Sequence, residues 1–384
     1  MADFTQKQTL SITCPLGLSP YLVKEVKELG YEPFNVRETG LELSGSLNDS
    51  ILLNYWLRTA HRIHCLVDEK EITSVNNLRN WIKKLPWEEW IPHNGYFSVT
   101  SRVDHPDIHN DQFANLTVKD AVADRIRFKK NVRPDSGSDL KQAVLFLYWN
   151  QNQARIFIDT SGESLSRRNY RTKSTQAPMQ ESLAAALVMA SGWQRDQHFI
   201  NPMTGSGTLV VEAVLQGLKR APASLRNNFG FMHLVGFEPD YYQSVRESAK
   251  KSSLREFSGK VIATDLDASA IDAAKKNATT AGVDHLIHFE RCEFSDTPIP
   301  DGDGVVLINP PYGLRLEDED LRPLYSSIGD FLKQKCAGKT GYVFTGNLKL
   351  AKKIGLRAAS RQTFHNTTVE CRLLQYDIYS GANR

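Results

Sequence analysis

Short alternating apolar runs and amphipathic stretches succeed one another through the first 165 residues. TLSITC (9–14) has strand alternation. LSPYLVKEVKELG (18–30) spaces its apolar residues as a helix does and stops at Gly30. FNVRE and LELSG read as short extended segments, and a helix is predicted from about Asp49 to Thr59 with Asn48 as its N-cap. IHCLVDEKEI then reads as a strand, NNLRNWIKKLPW as a helix and YFSVTSRV as a strand. NLTVKDAVADRIRFKKN predicts a helix carrying Val118, Ala121, Val122, Arg125 and Ile126 on successive turns. QAVLFLYWNQNQARIFIDTSG predicts a hairpin that turns near Gln151 and Asn152.

The pattern changes at 166–180, where SRRNYRTKSTQAP is polar, basic and without a core periodicity, so the main domain boundary is expected there. From Glu181 strands and helices alternate, the pattern of a parallel α/β sheet. HFINPMTGSGTLVVEAVLQGL and KVIATDLDASAIDAAKKNATTAG are each strand, turn and helix. LIHFERCEF, DGVVLINPPYG and TGYVFTGN supply further strands, a basic helix follows the last of these, and ECRLLQYDIYS closes the sheet. The expected architecture is α/β: a doubly wound, mostly parallel C-terminal domain (166–384) after two α+β modules. The ββ-and-helix pattern of 1–58 resembles a ferredoxin-like module, and 59–165 repeats the theme. In a doubly wound sheet, ligands bind at the carboxyl ends of the strands.

Composition narrows the class. The chain has 384 residues, and 47 Lys and Arg against 44 Asp and Glu leave a formal charge of +3, so no overall basic coat exists. Charge is nevertheless concentrated locally. Residues 119–133 hold six basic residues against Asp120 and Asp124, 167–173 add four around Tyr170, and 339–361 hold six with no acid. The five cysteines (14, 65, 292, 336, 371) form no C-x-x-C pair, which excludes a zinc knuckle and a disulfide framework. No metal is expected. Leu183 to Ala190 is the longest apolar run, far short of the roughly 20 residues that span a bilayer, and the first ten residues lack a signal-peptide pattern. A soluble, cytoplasmic protein is expected; the sequence sets no oligomeric state.

Three strand ends carry candidate chemistry. In Asn201-Pro202-Met203-Thr204-Gly205-Ser206-Gly207-Thr208 the glycines allow close approach of backbone to a ligand, and the following helix offers free N–H donors. The loop is neither a Walker A loop nor a full G-x-G-x-x-G, since Val210 stands at the last position, so a ligand without pyrophosphate is favoured. Asp265 ends VIATD and can accept ribose hydroxyls, unless it or Asp267 serves only as a helix cap; Glu238 is a competitor for the ribose. Glu293 suits an adenine amino group. Asn309-Pro310-Pro311-Tyr312 follows a VVLI strand, and its prolines stiffen the turn and remove two donors. Its Asn and Pro carbonyls can accept from a planar exocyclic NH2, and its Tyr can stack on an extruded base.

Taken in order, TSGESLSRRNYR, AP-x-x-E-S-LAAAL, NPMTGSGTLVVEA, TDLD and NPPYGLRL resemble the THUMP-domain RNA guanine-N2 methyltransferases, particularly those of bacterial 23S ribosomal RNA, and TVKDAVADRIR resembles their THUMP region. The resemblance covers essentially the whole chain. It implies a class I methyltransferase domain using S-adenosyl-L-methionine, held by Asn201, Pro202, Thr204 to Thr208, Asp265, Glu293 and Asn309. It also implies base contacts from Asn309 to Tyr312 and a structured RNA as partner. Lys119, Arg125, Arg127, Arg133, Arg167, Arg168 and Arg171 would then meet phosphates. The family usually has Asp where Asn201 stands, often Cys at Thr204, and His and Gly at Ser166 and Asn169. A second, fused methyltransferase domain is not expected. Transfer-RNA guanine, DNA adenine, a protein glutamine amide, or no catalysis at all in an RNA-binding assembly factor remain the rival readings. Glu317 to Asp320 would either repel phosphate or shape a lid.

Overall fold

The computed structural model describes residues 3–106, 108, 110–173, 179–312 and 318–379, the side chains of 318–320 excepted. It divides into two compact units, each with its own sheet. The acidic stretch Glu317 to Asp320 lies outside the described residues except for the backbone of 318–320.

The first unit comprises residues 1–14, 22–165 and 226–248. Its strands are β1 (Gln8–Thr13), β2 (Pro33–Arg37), β3 (Gly40–Gly45), β4 (Arg62–Glu71), β5 (Tyr96–Asp104), β6 (Asp135–Gly137), β7 (Ala143–Asn150) and β8 (Gln153–Asp159). The helices α1 (Ser19–Glu28), α2 (Leu47–Trp56), α3 (Val75–Ile82) and α4 (Asp111–Lys130) fall between them. All eight strands share one sheet, ordered β2-β3-β1-β4-β8-β7-β5-β6. The two expected modules are therefore joined by the antiparallel β1–β4 ladder, and β4 continues the sheet onto β8 with a bulge between Leu66 and Asp68. The hairpin turns at Gln151 and Asn152, with Gln151 in the left-handed region at φ 50°.

Two local expectations are corrected. Helix α2 starts earlier than expected because Ser46, not Asn48, is its N-cap. The Ser46 hydroxyl accepts from the Asp49 amide (3.1 Å) while the Asp49 carboxylate accepts from the Ser46 amide (2.7 Å). This reciprocal capping box satisfies two otherwise orphaned donors. No strand precedes Glu238: Gly230–His233 is a 3-10 turn, and residues 226–248 group with the first unit although the sequence sets them inside the third domain.

The second unit comprises residues 15–21, 166–225 and 249–384. It holds α5 (Glu181–Ala190), β9 (His198–Pro202), α6 (Thr208–Gly217), β10 (Val261–Asp265), α8 (Ala268–Ala281), β11 (Ile287–Arg291), β12 (Gly304–Ile308), α9 (Asp318–Lys335), β13 (Thr340–Thr345), α10 (Leu348–Ala351), β14 (Ser360–Asn366) and β15 (Val369–Asp377). Helix α7 (Pro239–Ser252) passes from one unit to the other. The sheet order is β11-β10-β9-β12-β13-β15-β14. The first five strands are parallel and the last two form an antiparallel hairpin. β14 takes the edge, so β15 is not the closing strand that the sequence pattern predicts. All five residues of β12 are buried, as expected of a central parallel strand covered on both faces. Ile200, Ile262, Val306 and Val343 from four strands meet Tyr325, Ile328 and Leu332 of α9 in one apolar core. That core fixes the strand ends where the candidate residues lie.

Candidate functional site

From β9 the chain steps outward through β10 and β11, then returns to the other side of β9 for β12 and β13. The strand order thus reverses between β9 and β12, the place where an open α/β sheet has its ligand crevice. The sequence-selected loops flank that point: 201–208 at the end of β9, and Asn309 to Tyr312 at the end of β12.

The β9 loop is rigidly tied. Asn201 is fully buried; its Nδ2 donates to the Leu307 carbonyl of β12 (2.7 Å), and its Oδ1 accepts from the Thr204 hydroxyl (2.8 Å). Its amide thus links the two strands at the reversal and holds the loop, and the bond to Leu307 needs the amide N–H, which a carboxylate lacks. Gly205 and Gly207 lie in the left-handed region at φ 56° and 79°. A Cβ on Gly207 would stand 2.8 Å from that of Ala274, so close packing of α6 on α8 also requires glycine there. Asp265, at the end of β10, accepts from the Gly205 amide (2.9 Å) through Oδ2 and from the Asp267 amide (3.0 Å) through Oδ1. Asp267 is the N-cap of α8, accepting from the Ser269 amide, so the capping role falls to Asp267 and not to Asp265. Glu293 follows the end of β11, exposed, and the Cys292 amide donates to the Asp265 carbonyl.

At the end of β12, the Asn309 side-chain oxygen is buried and has no hydrogen-bond partner among the described residues. Such an acceptor costs about 1–3 kcal/mol. The neighbouring turn is satisfied: Tyr325 donates its hydroxyl to the Pro311 carbonyl (3.3 Å). Tyr312 is half-buried, its hydroxyl accepting from Asn366 Nδ2 (2.9 Å) and its ring edge-on to Phe344 and tight against Gly346. Burial holds its hydroxyl well above the usual tyrosine range, so it stays protonated.

Asn277 is a residue that sequence reading missed. It is buried on α8 and spends its whole amide on two segments. Its Oδ1 accepts from the Thr172 and Lys173 amides, and its Nδ2 donates to the Lys173 and Ser206 carbonyls (2.8 and 3.0 Å). The 172–173 backbone is thereby fastened to the 204–207 loop. A polar residue on the buried Ala270, Ala274, Ala278 stripe is the signal that was available.

The basic residues divide. Arg168 is buried with its Nε 3.5 Å from the fully buried Glu212 carboxylate, which also accepts from the Tyr170 hydroxyl (3.0 Å). Burial, then the Glu212 charge, pushes the Tyr170 hydroxyl far above its ordinary range. Arg171 donates to the Met179 carbonyl and to Thr208 Oγ1, the first residue of α6, and pairs with Glu181. Arg125 makes a two-point contact with Glu88 (3.0 and 2.6 Å) and holds that carboxyl below its usual range. Arg168, Arg171 and Arg125 are expected to meet phosphates, but each stands in an internal ion pair, with Arg168 buried and Arg171 and Arg125 half-buried. Lys119 sits beside Asp120, and Arg133 is exposed between Asp120 and Asp124. Arg127 and Arg167 are exposed, as are Lys129 and Lys130 around the exposed Phe128. In the third cluster Lys339 is buried, whereas Lys349, Lys352, Lys353, Arg357 and Arg361 are exposed. Among the described residues no set of three His, Cys, Asp or Glu side chains could hold a metal, and no helix is long and apolar enough to cross a membrane.

Three family models match. Residues 168–376 match the RMKL-like methyltransferase domain, 9–64 the RlmL ferredoxin-like domain and 73–159 the THUMP domain. The chain is 36% identical to the ribosomal RNA large subunit methyltransferase K/L of Syntrophotalea carbinolica, over 95% of this chain and 53% of that protein. It is 32% identical to a Synechocystis protein provisionally named an RNA methyltransferase, over 96% of both. The chain thus spans about half the length of the K/L relatives it matches, and nearly all of the Synechocystis protein. Among solved structures, SMU.472, provisionally titled a methyltransferase and complexed with SAH, superposes with a TM-score of 0.89 at 26% identity, over 98% of this chain and 100% of that one.

Proposed function

The chain belongs to the RMKL-like methyltransferase family, and from that premise we propose that it uses S-adenosyl-L-methionine to methylate N2 of a guanine in structured RNA, with 23S ribosomal RNA as the substrate. The THUMP match and the names of the K/L relatives support RNA, and the SAH complex of SMU.472 supports the cofactor. The observation that carries the reading is the buried, unpartnered Asn309 oxygen beside the strand reversal. The Asn-Pro-Pro-Tyr turn resembles that of amino-group methyltransferases, which makes an exocyclic amino group its natural donor.

The residues present fit the cofactor. Left-handed Gly205 and Gly207 bare the backbone of the loop, α6 presents its N-terminus behind them, and the Asp265 carboxylate stands at the next strand end. When bound, S-adenosylmethionine supplies an electrophilic methyl group. The chain's own task is to hold and aim the acceptor. Asn309 Oδ1 and the Pro310 carbonyl each accept one N–H of the guanine amino group, which orients the nitrogen lone pair. They also ease the positive charge that develops on that nitrogen. Tyr312, held by Asn366, supplies a flat surface for the flipped base. Asn309 is no base, so the released proton goes to water.

The loop gives a direct check. Gly207→Ala is expected to strain the left-handed turn and drive a methyl group into Ala274. It should weaken cofactor binding at least tenfold by calorimetry and cost about 1–3 kcal/mol of stability. The function itself is tested by transfer of labelled methyl to three acceptors: unmodified 23S ribosomal RNA, transfer RNA and adenine-containing DNA. Label in the first alone is the expected result; label only in DNA or transfer RNA refutes the substrate, and calorimetric silence with the cofactor refutes the enzyme.

A further inference from the structure

The sheet of the first unit has one face that its apolar core does not use. Leu10 pairs with Leu43 and Cys65 across β1, β3 and β4, and Leu145 pairs with Ile158 across β7 and β8; all are buried. Side chains alternate along strands, so the residues between them point to the opposite face. There Glu42, Ser11 and His64 form one cross-strand row, and Arg155, Tyr148 and Arg102 form another. A pocket of about 530 Å³ lies over these rows, and every residue lining it belongs to the first unit.

Its chemistry is specific. Tyr148 is half-buried and stands between two arginines of its row, Arg155 on β8 and Arg102 on β5. Phe146, one step along β7, stacks on His64 with ring centroids 4.5 Å apart and nearly parallel. The wall is braced from below. The buried Glu42 carboxylate accepts from Arg155 (2.5 Å), Arg37 (3.0 Å) and Asn35 (3.1 Å), and the Arg155 guanidinium lies over the Phe157 ring. Glu42 is thus consumed by its neighbours, whereas the exposed Arg102 has no acidic partner among the described residues. Three arginines against one carboxylate leave the lining net positive.

An aromatic floor with a free guanidinium at its rim suits a ligand that is flat and apolar at one end and anionic at the other. Nucleotides of unpaired RNA have that form: their bases stack on sheet aromatics and their phosphates meet arginine. We propose that this pocket holds one unstacked nucleotide of the RNA substrate, its base against Tyr148 and Phe146 and its phosphate at Arg102. This rests on the RNA reading given above and adds a recognition point built from seven strands of the first unit, outside the methyltransferase sheet.

The test uses the full chain. Binding of a short fluorescein-labelled single-stranded RNA is followed by anisotropy for the wild type, Arg102→Glu and Tyr148→Ala, with cofactor binding measured in parallel by calorimetry. Each variant is expected to weaken RNA binding about tenfold or more, and Arg102→Glu to lower the slope of log affinity against log salt by about one. Cofactor binding should be unchanged. Arg102 is exposed, so its variant guards against a Tyr148→Ala protein that merely fails to fold. If the wild type and Arg102→Glu bind RNA equally, with the same salt slope, the pocket is overturned while the RNA reading stands. If the wild type binds cofactor but no RNA, both fall.

Discussion

Asn309→Ala should lower the turnover of methyl transfer by about two to three orders of magnitude, the size of effect seen when one aligned transition-state partner is removed. The same substitution should leave the free protein as stable as the wild type, or more so. This pairing is unusual, and it follows from the geometry. The Asn309 oxygen is buried without a partner among the described residues, so its removal relieves a desolvation cost instead of breaking a contact. Asn309→Asp keeps acceptors at that position and should retain more activity than the alanine variant. Turnover on saturating RNA and thermal unfolding without ligand check both halves. A variant that lost activity together with several degrees of stability would make Asn309 a structural brace.

The second large effect concerns stability. Glu212→Ala takes its ion-pair partner from the buried Arg168 and a hydrogen-bond acceptor from the Tyr170 hydroxyl. Removing one partner of a buried ion pair costs about 3–5 kcal/mol, whereas replacing both with apolar side chains is often neutral. Glu212→Ala should therefore unfold the second unit at markedly lower urea, and the double variant Arg168→Met, Glu212→Leu should recover most of the loss. Because Arg171 of the same segment bonds Thr208 at the start of α6, the single variant should also loosen the 204–207 loop and weaken cofactor binding. Were Glu212→Ala as stable as the wild type, Arg168 would have to be free to meet solvent, and its phosphate role would return.

What the sequence made legible follows the range of the interactions involved. The Asn309-Pro310-Pro311-Tyr312 turn and the Thr204 to Gly207 loop owe their shapes to adjacent prolines and glycines, so their type and place could be read directly. The parallel strands announced themselves as unbroken apolar runs, GVVLI most plainly. Arg168 could not be read. Its partner Glu212 lies on another element, and an arginine whose partner is out of view reads as solvated. Residues 226–248 have partners equally out of view: Phe229, Phe231 and Tyr242 form an aromatic cluster in the first unit, a non-local choice that periodicity does not encode. Asn277 fell between the two cases, because its place on an alanine stripe was visible but its four hydrogen bonds to Thr172, Lys173 and Ser206 were not. The Ser46 cap was missed by two residues, where Ser46 and Asn48 compete as oxygen acceptors and the Asp49 return bond decides.

The central claim is that the amino group aimed by Asn309 is N2 of guanine in ribosomal RNA. It is tested most directly by incubating 23S ribosomal RNA from a strain lacking this protein with the purified chain and isotopically labelled S-adenosylmethionine. The RNA is then digested and its nucleosides resolved by mass spectrometry. Label confined to N2-methylguanosine, and absent with Asn309→Ala, is the predicted result. Label in N6-methyladenosine or in any other nucleoside would contradict it, as would an RNA that stays unlabelled while the chain binds the cofactor.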